Sequence, residues 1–279
     1  MRNRFALLGL VFAAGLSVAA CDIQAGEGGL SFDIAKGKAE DTWTRSYKLA
    51  PGGTLELINV NGRIDALPAS GDEVEIVGLR KAEGTSDEAA KALLDKVEMR
   101  EEVGNTRVRV EVRPPRLRGF SGHQVRWTVR VPKGVNVDLR TVNGGVKLTG
   151  LQGDVIAKTT NGGVTGTGVL SQAVDASAVN GGIEIEFGSP LSADAKVSFE
   201  TVNGGVSIGL PSESRATISA RAVNGGVRVS DLEIQKDEQA NAFDSKRRLQ
   251  GTMNGGGARV TLNTVNGGIR ISRTGSTTS

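Results

Sequence analysis

The chain has 279 residues, of which 38% are hydrophobic, 23% are charged and 4% are aromatic. This balance is typical of a folded protein and excludes an intrinsically disordered chain. The 34 basic and 31 acidic side chains nearly cancel, which gives no support to nucleic-acid binding. The 39 glycines show no collagen-like period and stand among alternating Val and Ile, so they indicate β structure with many turns.

The first 20 residues have the layout of a secretory signal peptide. Arg2 and Arg4 precede an apolar stretch that ends in small residues before Cys21. Cys21 is the only cysteine, and the sequence SVAAC that it closes resembles the lipobox of bacterial lipoproteins. The resemblance implies that Cys21 is lipidated, becomes the first residue of the mature chain and anchors it to a membrane. The alternative is a secreted protein with an unpaired cysteine beside its cleavage site.

Beyond the anchor we predict one domain and no membrane-spanning helix, because no later segment approaches 18 consecutive apolar residues. Residues 21–40 are predicted to be lipidated Cys21 and a tether, residues 41–272 a β-strand-repeat domain and residues 273–279 a flexible tail. Without Arg2 and Arg4, 32 basic side chains face 31 acidic ones. The expected location is a bacterial membrane, on its periplasmic or surface side, and the choice between inner and outer membrane stays open.

An Asn-Gly pair preceded by Val or Thr recurs along the chain. The gaps between Asn143 and Asn224 are 18 to 23 residues, and we interpret the longer gaps as multiples of the same step. Apolar residues stand six and four positions before each late Asn and three positions after it, as a strand with one buried face requires. The predicted structural corners are at Asn61, Asn143, Asn161, Asn180, Asn203, Asn224 and Asn266.

Two all-β folds could use this unit. In a β-solenoid the corners stack in parallel, so that each Asn amide can donate and accept along a column. In an antiparallel β meander or sandwich the turns need not be alike. The near-identity of the corners favours a single-chain β-solenoid of ~20-residue coils with Asn-Gly-Gly corners. A sharp corner requires the left-handed backbone conformation, which Asn and Gly tolerate. Asn254 has polar flanks and is excluded, so residues 231–251 are predicted to be an irregular excursion.

One helix is predicted between the first two corners. Residues 85–97 contain helix formers, apolar spacing and a capping-box pair, Thr85 and Glu88. We therefore expect a helical insertion near residues 86–97, as a candidate cap for an open end of the solenoid. Residues 106–113 and 123–132 alternate between apolar and polar side chains, which predicts two further strands.

The phrases LELINVNGRIDA and VRWTVRVPKGVNVDLRTVNGGVKLTGLQGDV, with the VNGG series that follows, resemble the bacterial "putative adhesin" family of β-strand-repeat domains of unknown function. The resemblance spans residues 45 to 272. It implies a β-solenoid-like repeat fold and an exported or envelope location. It supplies no catalytic residues.

The residue types give little support to catalytic or metal sites. His123 is the only histidine and Cys21 is predicted to carry lipid, so Cys/His nucleophiles and His-rich zinc sites are excluded. The corners lack the spacing of phosphate-binding loops and the aspartates of calcium-binding repeats. We therefore expect no metal, no cofactor and no enzymatic activity. Paired carboxylates for glycoside hydrolysis stay open, because Asp and Glu are scattered along the chain.

The densest basic stretch lies between residues 107 and 130. Its first arginines alternate with valines, which is typical of a solvated strand face that pairs with Glu111. The sharper hypothesis is an anion-binding patch for phosphorylated lipids or acidic glycans, formed by Arg113, Arg116 and Arg118.

The leading functional prediction is a non-catalytic, lipid-anchored envelope protein that presents a rigid surface for adhesion, scaffolding or envelope sensing. Repeated weak contacts to a repetitive partner would add by avidity. The expected partners are the membrane, through the N-terminal lipid, and a glycan, lipid or protein ligand at the envelope. The alternatives are a polysaccharide-active enzyme with paired carboxylates on a β-helix, marked by a cleft beside an exposed tryptophan, and a ligand-binding module with a pocket near the helix.

Overall fold

The computed structural model describes residues 23–26, 29–32, 37–114, 122–238 and 246–275, with side chains from residue 37 onward. These residues form an all-β protein with one inserted helix, α1 (Asp87–Leu94). The described strands are, in chain order, β1 (Ile23–Gly26), β2 (Gly29–Phe32), β3 (Gly37–Tyr47), β4 (Thr54–Ile58), β5 (Ile64–Pro68), β6 (Val74–Gly84), β7 (Glu98–Val103), β8 (Arg107–Arg113), β9 (His123–Val131), β10 (Asn136–Asn143), β11 (Val146–Thr149), β12 (Val155–Asn161), β13 (Val164–Val169), β14 (Ala173–Asn180), β15 (Ile183–Phe187), β16 (Lys196–Asn203), β17 (Val206–Leu210), β18 (Ala216–Asn224), β19 (Val227–Ser230), β20 (Gln235–Lys236), β21 (Arg248–Met253), β22 (Ala258–Asn266) and β23 (Ile269–Arg273).

Two large sheets of mixed strand direction contain most of these strands. Sheet I has the order β20-β21-β18-β22-β16-β14-β12-β10-β4-β8-β7, and sheet II has the order β19-β23-β17-β15-β13-β11-β5-β9-β6-β3. Most buried side chains of both sheets form one continuous hydrophobic core, and Ala82 of β6 packs with Leu93 and Leu94 of α1 in a second, smaller cluster. Trp127, Phe187 and Phe199 are the largest members of the main core, and the rest is almost entirely Val, Ile, Leu and Ala, as the low aromatic content predicts.

The chain crosses from sheet I to sheet II at every repeated Asn-Gly corner. Strand β10 ends at Asn143 and β11 begins at Val146, and the later corners connect their strands in the same way. Successive units pair in parallel, so that Asn143 lies opposite Asn161 and Val137 lies opposite Val155. The same register continues through the remaining corners. This pairing excludes the antiparallel meander for the repeated units.

The spatial order of the units differs from their chain order at both ends of the stack. Strands β22 and β23, with Asn266, lie between the units of Asn203 and Asn224. At the other end, β8 and β9 pair in parallel outside β4 and β5, and Asn61 forms a parallel bridge directly with Asn143. We call the end at β18 and β19 distal and the end at β3 and β7 proximal.

The interpretation of the two long gaps is therefore wrong. Asn61 and Asn143 are neighbours in space, because β6 to β9, which lie between them in the chain, add to the proximal side of the stack and do not separate the two corners. In the gap before Asn266, the described strands β20 and β21 do not form another parallel unit. They add to β18 in the antiparallel direction instead. Equal spacing along the chain does not fix which units become neighbours.

The predicted boundaries of the domain also need correction. Strand β3 starts at Gly37 and pairs with β6 along its full length, so residues 37–40 belong to the domain and not to a tether. Residues 23–26 and 29–32 form the antiparallel pair β1–β2. At the other terminus Thr274 is held by two hydrogen bonds, from its N–H to Leu210 O and from its hydroxyl to Phe187 O. Residues 276–279 lie outside the described residues.

Helix α1 packs against β3 and β6, the last two strands of sheet II at the proximal end. Its N-cap is Ser86, whose hydroxyl accepts a hydrogen bond from Ala89 N, one residue later than the predicted capping box. The helix buries Ala90, Leu93 and Leu94. It therefore covers a proximal strand pair of sheet II.

The two sheets are joined at the proximal edge by polar contacts. The Tyr47 hydroxyl on β3 donates to Glu101 Oε2 on β7 at 2.5 Å, and Arg45 pairs with the same carboxylate at 3.2 Å. Burial and this hydrogen bond raise the pKa of Tyr47 above its ordinary value. Glu101 thus links β7, the proximal edge strand of sheet I, to β3, the proximal edge strand of sheet II.

Candidate functional site: the asparagine ridge

The seven repeated asparagines form one unbroken column of amide hydrogen bonds. Asn180 Nδ2 donates to Asn161 Oδ1 at 2.9 Å, and Asn180 Oδ1 accepts from Asn203 Nδ2 at 2.9 Å. Every amide donates in the same direction, toward the proximal end. From the proximal to the distal end the column runs through Asn61, Asn143, Asn161, Asn180, Asn203, Asn266 and Asn224, with six bonds of 2.7 to 2.9 Å.

Each amide within the column keeps hydrogen-bonding capacity for a partner. An Asn side chain has two N–H donors and two acceptor lone pairs on oxygen, and the column uses one of each. The side chains from Asn143 to the distal end are exposed to solvent. The column therefore presents a free donor and a free acceptor at each step of about 4.8 Å.

The first glycine of each corner is required by the close approach of the stacked backbones. A Cβ atom at Gly181 would lie 2.0 Å from Gly162 O, and one at Gly204 would lie 2.2 Å from Gly181 O. The second glycine has more room, since a Cβ at Gly182 would stay 3.2 Å from Gly205 O. Arg63 occupies this second position in the most proximal corner.

The left-handed backbone conformation expected at the corners is not found at the repeated asparagines. Among the described non-glycine residues only Asp231 and Asn254 have positive φ, and Asn254 is the copy that the sequence excluded from the repeat. From Asn143 onward each repeated Asn instead closes an extended strand, as Asn143 closes β10, whereas Asn61 forms an isolated parallel bridge. The extended backbone lines up the amides, and the following glycine lets the next unit approach.

A row of threonines lies beneath the asparagines, two residues earlier in the chain. Thr159 Oγ1 donates to Gly144 O at 2.7 Å, which is the carbonyl of the first glycine in the neighbouring corner. Thr141, Thr201 and Thr264 make the equivalent bond at 2.7 to 3.1 Å. These buried hydroxyls fix each corner to the one beside it.

A row of valines runs beside the asparagines on the solvent side. These valines directly precede the corner asparagines and are 39 to 44% exposed, whereas the valines at the inward positions are buried. We call this surface, with the asparagine column, the ridge. Its valines are Val142, Val179, Val202, Val223 and Val265, with exposed Thr160 in the remaining late copy.

The ridge ends at His123 on the proximal side. Asn61 Nδ2 lies 3.3 Å from His123 Nε2, and Asn61 Oδ1 already accepts from Asn143. His123 Nε2 must therefore accept, which requires the neutral ring with its proton on Nδ1. Burial lowers the pKa of His123 below its ordinary value and favours this state.

The predicted anion patch is not a free basic surface where the structure describes it. Arg113 lies 3.5 Å from Glu111 Oε2, and Arg109 contacts both Glu111 and the buried Glu56. Burial opposes ionisation of Glu111, but Arg109 and Arg113 together hold its pKa below the ordinary value. Arg116 and Arg118 lie outside the described residues, as does the predicted lipidation residue Cys21.

A shallow hollow of about 440 Å³ lies on the outer face of sheet I. It contains two carboxylates, Asp154 and Asp175, together with Lys196 and Arg259. Asp175 lies 3.7 Å from Lys158, and neither tryptophan lines the hollow. Trp127 is buried, and Trp43 packs edge-to-face against it at 5.6 Å. The hollow therefore lacks the aromatic platform expected for the polysaccharide-active alternative.

Within the described ranges, no group of three or more His, Cys, Asp or Glu side chains is placed to hold a metal ion. The same ranges contain no helix of the length and hydropathy needed to cross a bilayer. The pocket expected near the helix for a ligand-binding module is not among the hollows at Asp154, at Gly225 or at Pro51, none of which is lined by α1.

Residues 55–272, which contain the whole ridge, match the family model described as Toastrack DUF4097. The chain belongs to the Toastrack family. This assignment confirms the family resemblance noted in the sequence, while the lipoprotein signal stays a prediction. No curated protein matches this Toastrack chain significantly.

The Toastrack chain is similar to a crystal structure from Clostridium sporogenes described as a "putative cell adhesion protein". The TM-score is 0.51 at 12% identity, over 84% of this chain and 100% of that chain. A "putative adhesin" from Bacteroides fragilis is more distant, with a TM-score of 0.32 at 11% identity over 83% and 97% of the two chains. At these identities the similarity concerns the fold.

The sequence contained signals for the ridge that the prediction did not use. The residue before each repeated Asn is Val or Thr in every copy, although an outward position would ordinarily be polar. Thr two residues before Asn recurs in four copies. Nothing in the spacing indicated that His123 would meet Asn61, because that contact depends on β9 returning beside β5.

Proposed function

We propose that this protein is a non-catalytic β-solenoid of the bacterial cell envelope that adheres through the ridge to a repetitive polymer. Its N-terminal segment would be exported and held at the membrane by lipid on Cys21. The row of exposed valines in register with the asparagine column is the observation that carries the proposal. Scaffolding or envelope sensing would use the same surface.

The winding of the chain supports the β-solenoid assignment. Successive units alternate between the two sheets and pair in parallel in one register, as coils of a solenoid do. Six steps of about 4.8 Å make the ridge roughly 29 Å long. A surface of this regularity can contact a polymer at several repeats at once.

The chemistry of the ridge suits a polysaccharide. Single exposed valines need no explanation, but an aligned row of them forms a continuous apolar strip. The amides beside the strip offer one donor and one acceptor at each step. Sugar rings combine apolar C–H faces with hydroxyl groups, so a glycan chain could pack on the valines and hydrogen-bond to the asparagines.

The test is co-sedimentation of the purified protein with insoluble envelope polysaccharide. The ridge variant changes Val142, Val179, Val202 and Val265 to Thr, a residue that position 160 already holds on the ridge. Threonine keeps the shape and the strand propensity of valine but removes apolar contact. We expect the apparent affinity to fall at least tenfold, since several weak contacts are lost together.

The matched control changes Val77 and Val103, which are exposed away from the ridge, to Thr. This control should bind like the wild type. Equal binding by the ridge variant and the wild type, with both folded by circular dichroism, would contradict the adhesive role of the ridge.

The membrane anchor is tested separately. In the producing bacterium, Cys21→Ser should release the protein from the membrane fraction into the soluble fraction. Cys21 is the only cysteine, so no disulfide is lost in this variant. Membrane association that survives the substitution would contradict lipid anchoring without affecting the ridge.

A further inference from the structure

The distal end of sheet II places two arginines side by side. Arg228 on β19 and Arg270 on β23 are register partners, and both are exposed on the outer face. Adjacent strands are about 4.8 Å apart, and like charges directly opposite each other destabilise a sheet. A third position in the same row, on β17, holds the neutral Ser207. This row thus concentrates positive charge at one point.

Neither guanidinium is neutralised within the described part of the chain. No carboxylate there lies within ion-pair distance of Arg228 or Arg270. Some other outward arginines are paired with acids, for example Arg140 with Asp138 at 2.6 Å and Arg63 with Asp65 at 2.9 Å. The distal pair is therefore free to bind an external anion.

A hollow of about 360 Å³ lies at these arginines and is open at the glycine corners. It is lined by Val206, Gly225, Gly226, Arg228, Gly268, Ile269 and Arg270. Because glycines form part of its wall, their backbone is accessible to a small ligand. The hollow has room for a tetrahedral oxyanion and for part of the group attached to it.

The distal corner also differs from the others in its backbone. In every other corner the N–H of the first glycine donates to the Asn carbonyl of the next unit, as Gly204 N does to Asn266 O and Gly267 N to Asn224 O. Gly225 belongs to the last unit of the stack, and among the described residues no further Asn-Gly corner follows it. Its N–H therefore has no equivalent carbonyl to receive it.

We infer that Arg228, Arg270 and the distal glycine corner form a binding site for a phosphate group. Two guanidinium groups one strand apart can each donate to the oxygens of the same phosphate, which is the arrangement that charge-assisted recognition favours. The phosphate could be free in solution or the headgroup of a phosphomonoester lipid. This site is separate from the ridge, so it can fail or succeed independently of the adhesive function.

The direct experiment is titration of the full-length protein with inorganic phosphate, followed by isothermal calorimetry at low ionic strength. The test variant is the double substitution Arg228→Gln and Arg270→Gln. We expect saturable binding to the wild type and an affinity at least tenfold lower in the variant. Binding should also weaken as sodium chloride is raised, because exposed charges are screened.

The matched control is the double substitution Arg126→Gln and Lys147→Gln, which removes the same charge from exposed positions outside the hollow. This control should bind phosphate like the wild type. Absence of saturable binding to the wild type, or equal losses in both double variants, would overturn the site.

Vesicles distinguish the two sources of phosphate. One set contains phosphatidylcholine alone and the other adds phosphatidic acid, and a Cys21→Ser background removes the predicted lipid anchor. Binding to the phosphatidic acid vesicles that is lost in the Arg228→Gln/Arg270→Gln variant would assign the site to a lipid headgroup. Binding of inorganic phosphate without vesicle binding would assign it to a soluble phosphate compound.

Discussion

At the scale of single residues, the two glycines of a corner have different physical roles. The first lies against the backbone of the next corner, and a Cβ atom there would overlap a carbonyl oxygen. A Cβ atom at the second glycine would be less crowded, with its nearest atom at 2.9 Å for Gly163 and at 3.1 to 3.4 Å for the others. In the repeated NGG phrase, packing therefore requires the first glycine, whereas the second position has more room for a side chain.

Alanine substitutions in one corner test this difference. We expect Gly181→Ala to destabilise the protein by about 3 kcal/mol or more, because its Cβ would lie 2.0 Å from a backbone oxygen that cannot move alone. Gly182→Ala should cost less than about 1 kcal/mol. The free energy of unfolding in urea measures both, and equal losses would contradict the steric explanation.

The asparagine column predicts a dependence on position. Asn180 makes two amide bonds within the column, whereas Asn224 at the distal end makes one. At about 1 kcal/mol for each bond, Asn180→Ala should destabilise the protein by about 2 kcal/mol and Asn224→Ala by about 1 kcal/mol. Chemical denaturation of the two variants is the measurement. A larger loss at the end than in the middle would contradict a continuous column.

His123 predicts a pH dependence of stability. Burial lowers its pKa in the folded state below the unfolded value of about 6.5, so the unfolded chain binds the proton more readily. The contribution of His123 to the free energy of unfolding is fully present above about pH 6.5. It is lost as the pH falls toward the folded-state pKa, at up to about 1.4 kcal/mol per pH unit.

The control for this effect is His123→Gln, which keeps an acceptor for Asn61 but does not titrate. Its unfolding free energy, measured from pH 7.5 to 5, should fall less steeply than that of the wild type. Parallel curves for the two proteins would show that His123 does not contribute to the dependence.

At the scale of elements, the strands and corners of each repeat could be predicted from the sequence, but which units lie beside each other in the sheets could not. Apolar residues at fixed offsets from each Asn determine which side chains are buried, and the structure places Val155, Val174 and Val197 in the core accordingly. No local feature of the sequence indicates that β22 pairs between β16 and β18. All units carry nearly the same corner, so any two can pair, and the choice depends on connections elsewhere in the chain.

The same limit applies to the candidate sites. The corner asparagines were found because their chemistry repeats, whereas the Arg228–Arg270 pair arises only when β19 and β23 become neighbours. In the sequence these arginines are 42 residues apart and each stands in an ordinary alternating strand. A site that forms because the spatial order of the units differs from their order in the chain cannot be predicted from the spacing of residues alone.

Deletion of one unit tests the register of the stack. Removal of residues 162–180 joins Asn161 to Gly181 and restores a complete corner, with β12 followed by β15. We expect this protein to unfold cooperatively with a modest loss of stability, because each unit contacts mainly its neighbours. Removal of residues 162–171 deletes the corner glycines and β13, so β14 would follow β12 directly, at the place where a strand of sheet II belongs. We expect this second protein not to fold. Circular dichroism and limited proteolysis compare them, and equal damage in both would refute the unit boundaries.

At the scale of the whole molecule, the fold separates a regular surface from two specialised ends. The proximal end is covered by α1 and by the link between Tyr47 and Glu101. The distal end carries the antiparallel strands β20 and β21 and the register pair Arg228 and Arg270. Between them the ridge repeats the same chemistry at every unit. The adhesive function proposed for the ridge would therefore use the length of the molecule and not its two ends.

The most direct test of the central claim is site-specific photo-crosslinking in the producing bacterium. A photoreactive amino acid is placed on the ridge at Val202 or Val265, and for comparison on the outer face of sheet II at Lys147 or Glu184. We predict crosslinks to envelope polysaccharide from both ridge positions and none from the two comparison positions. Crosslinks from the sheet II positions alone, or equal yields from all four, would contradict the ridge as the binding surface.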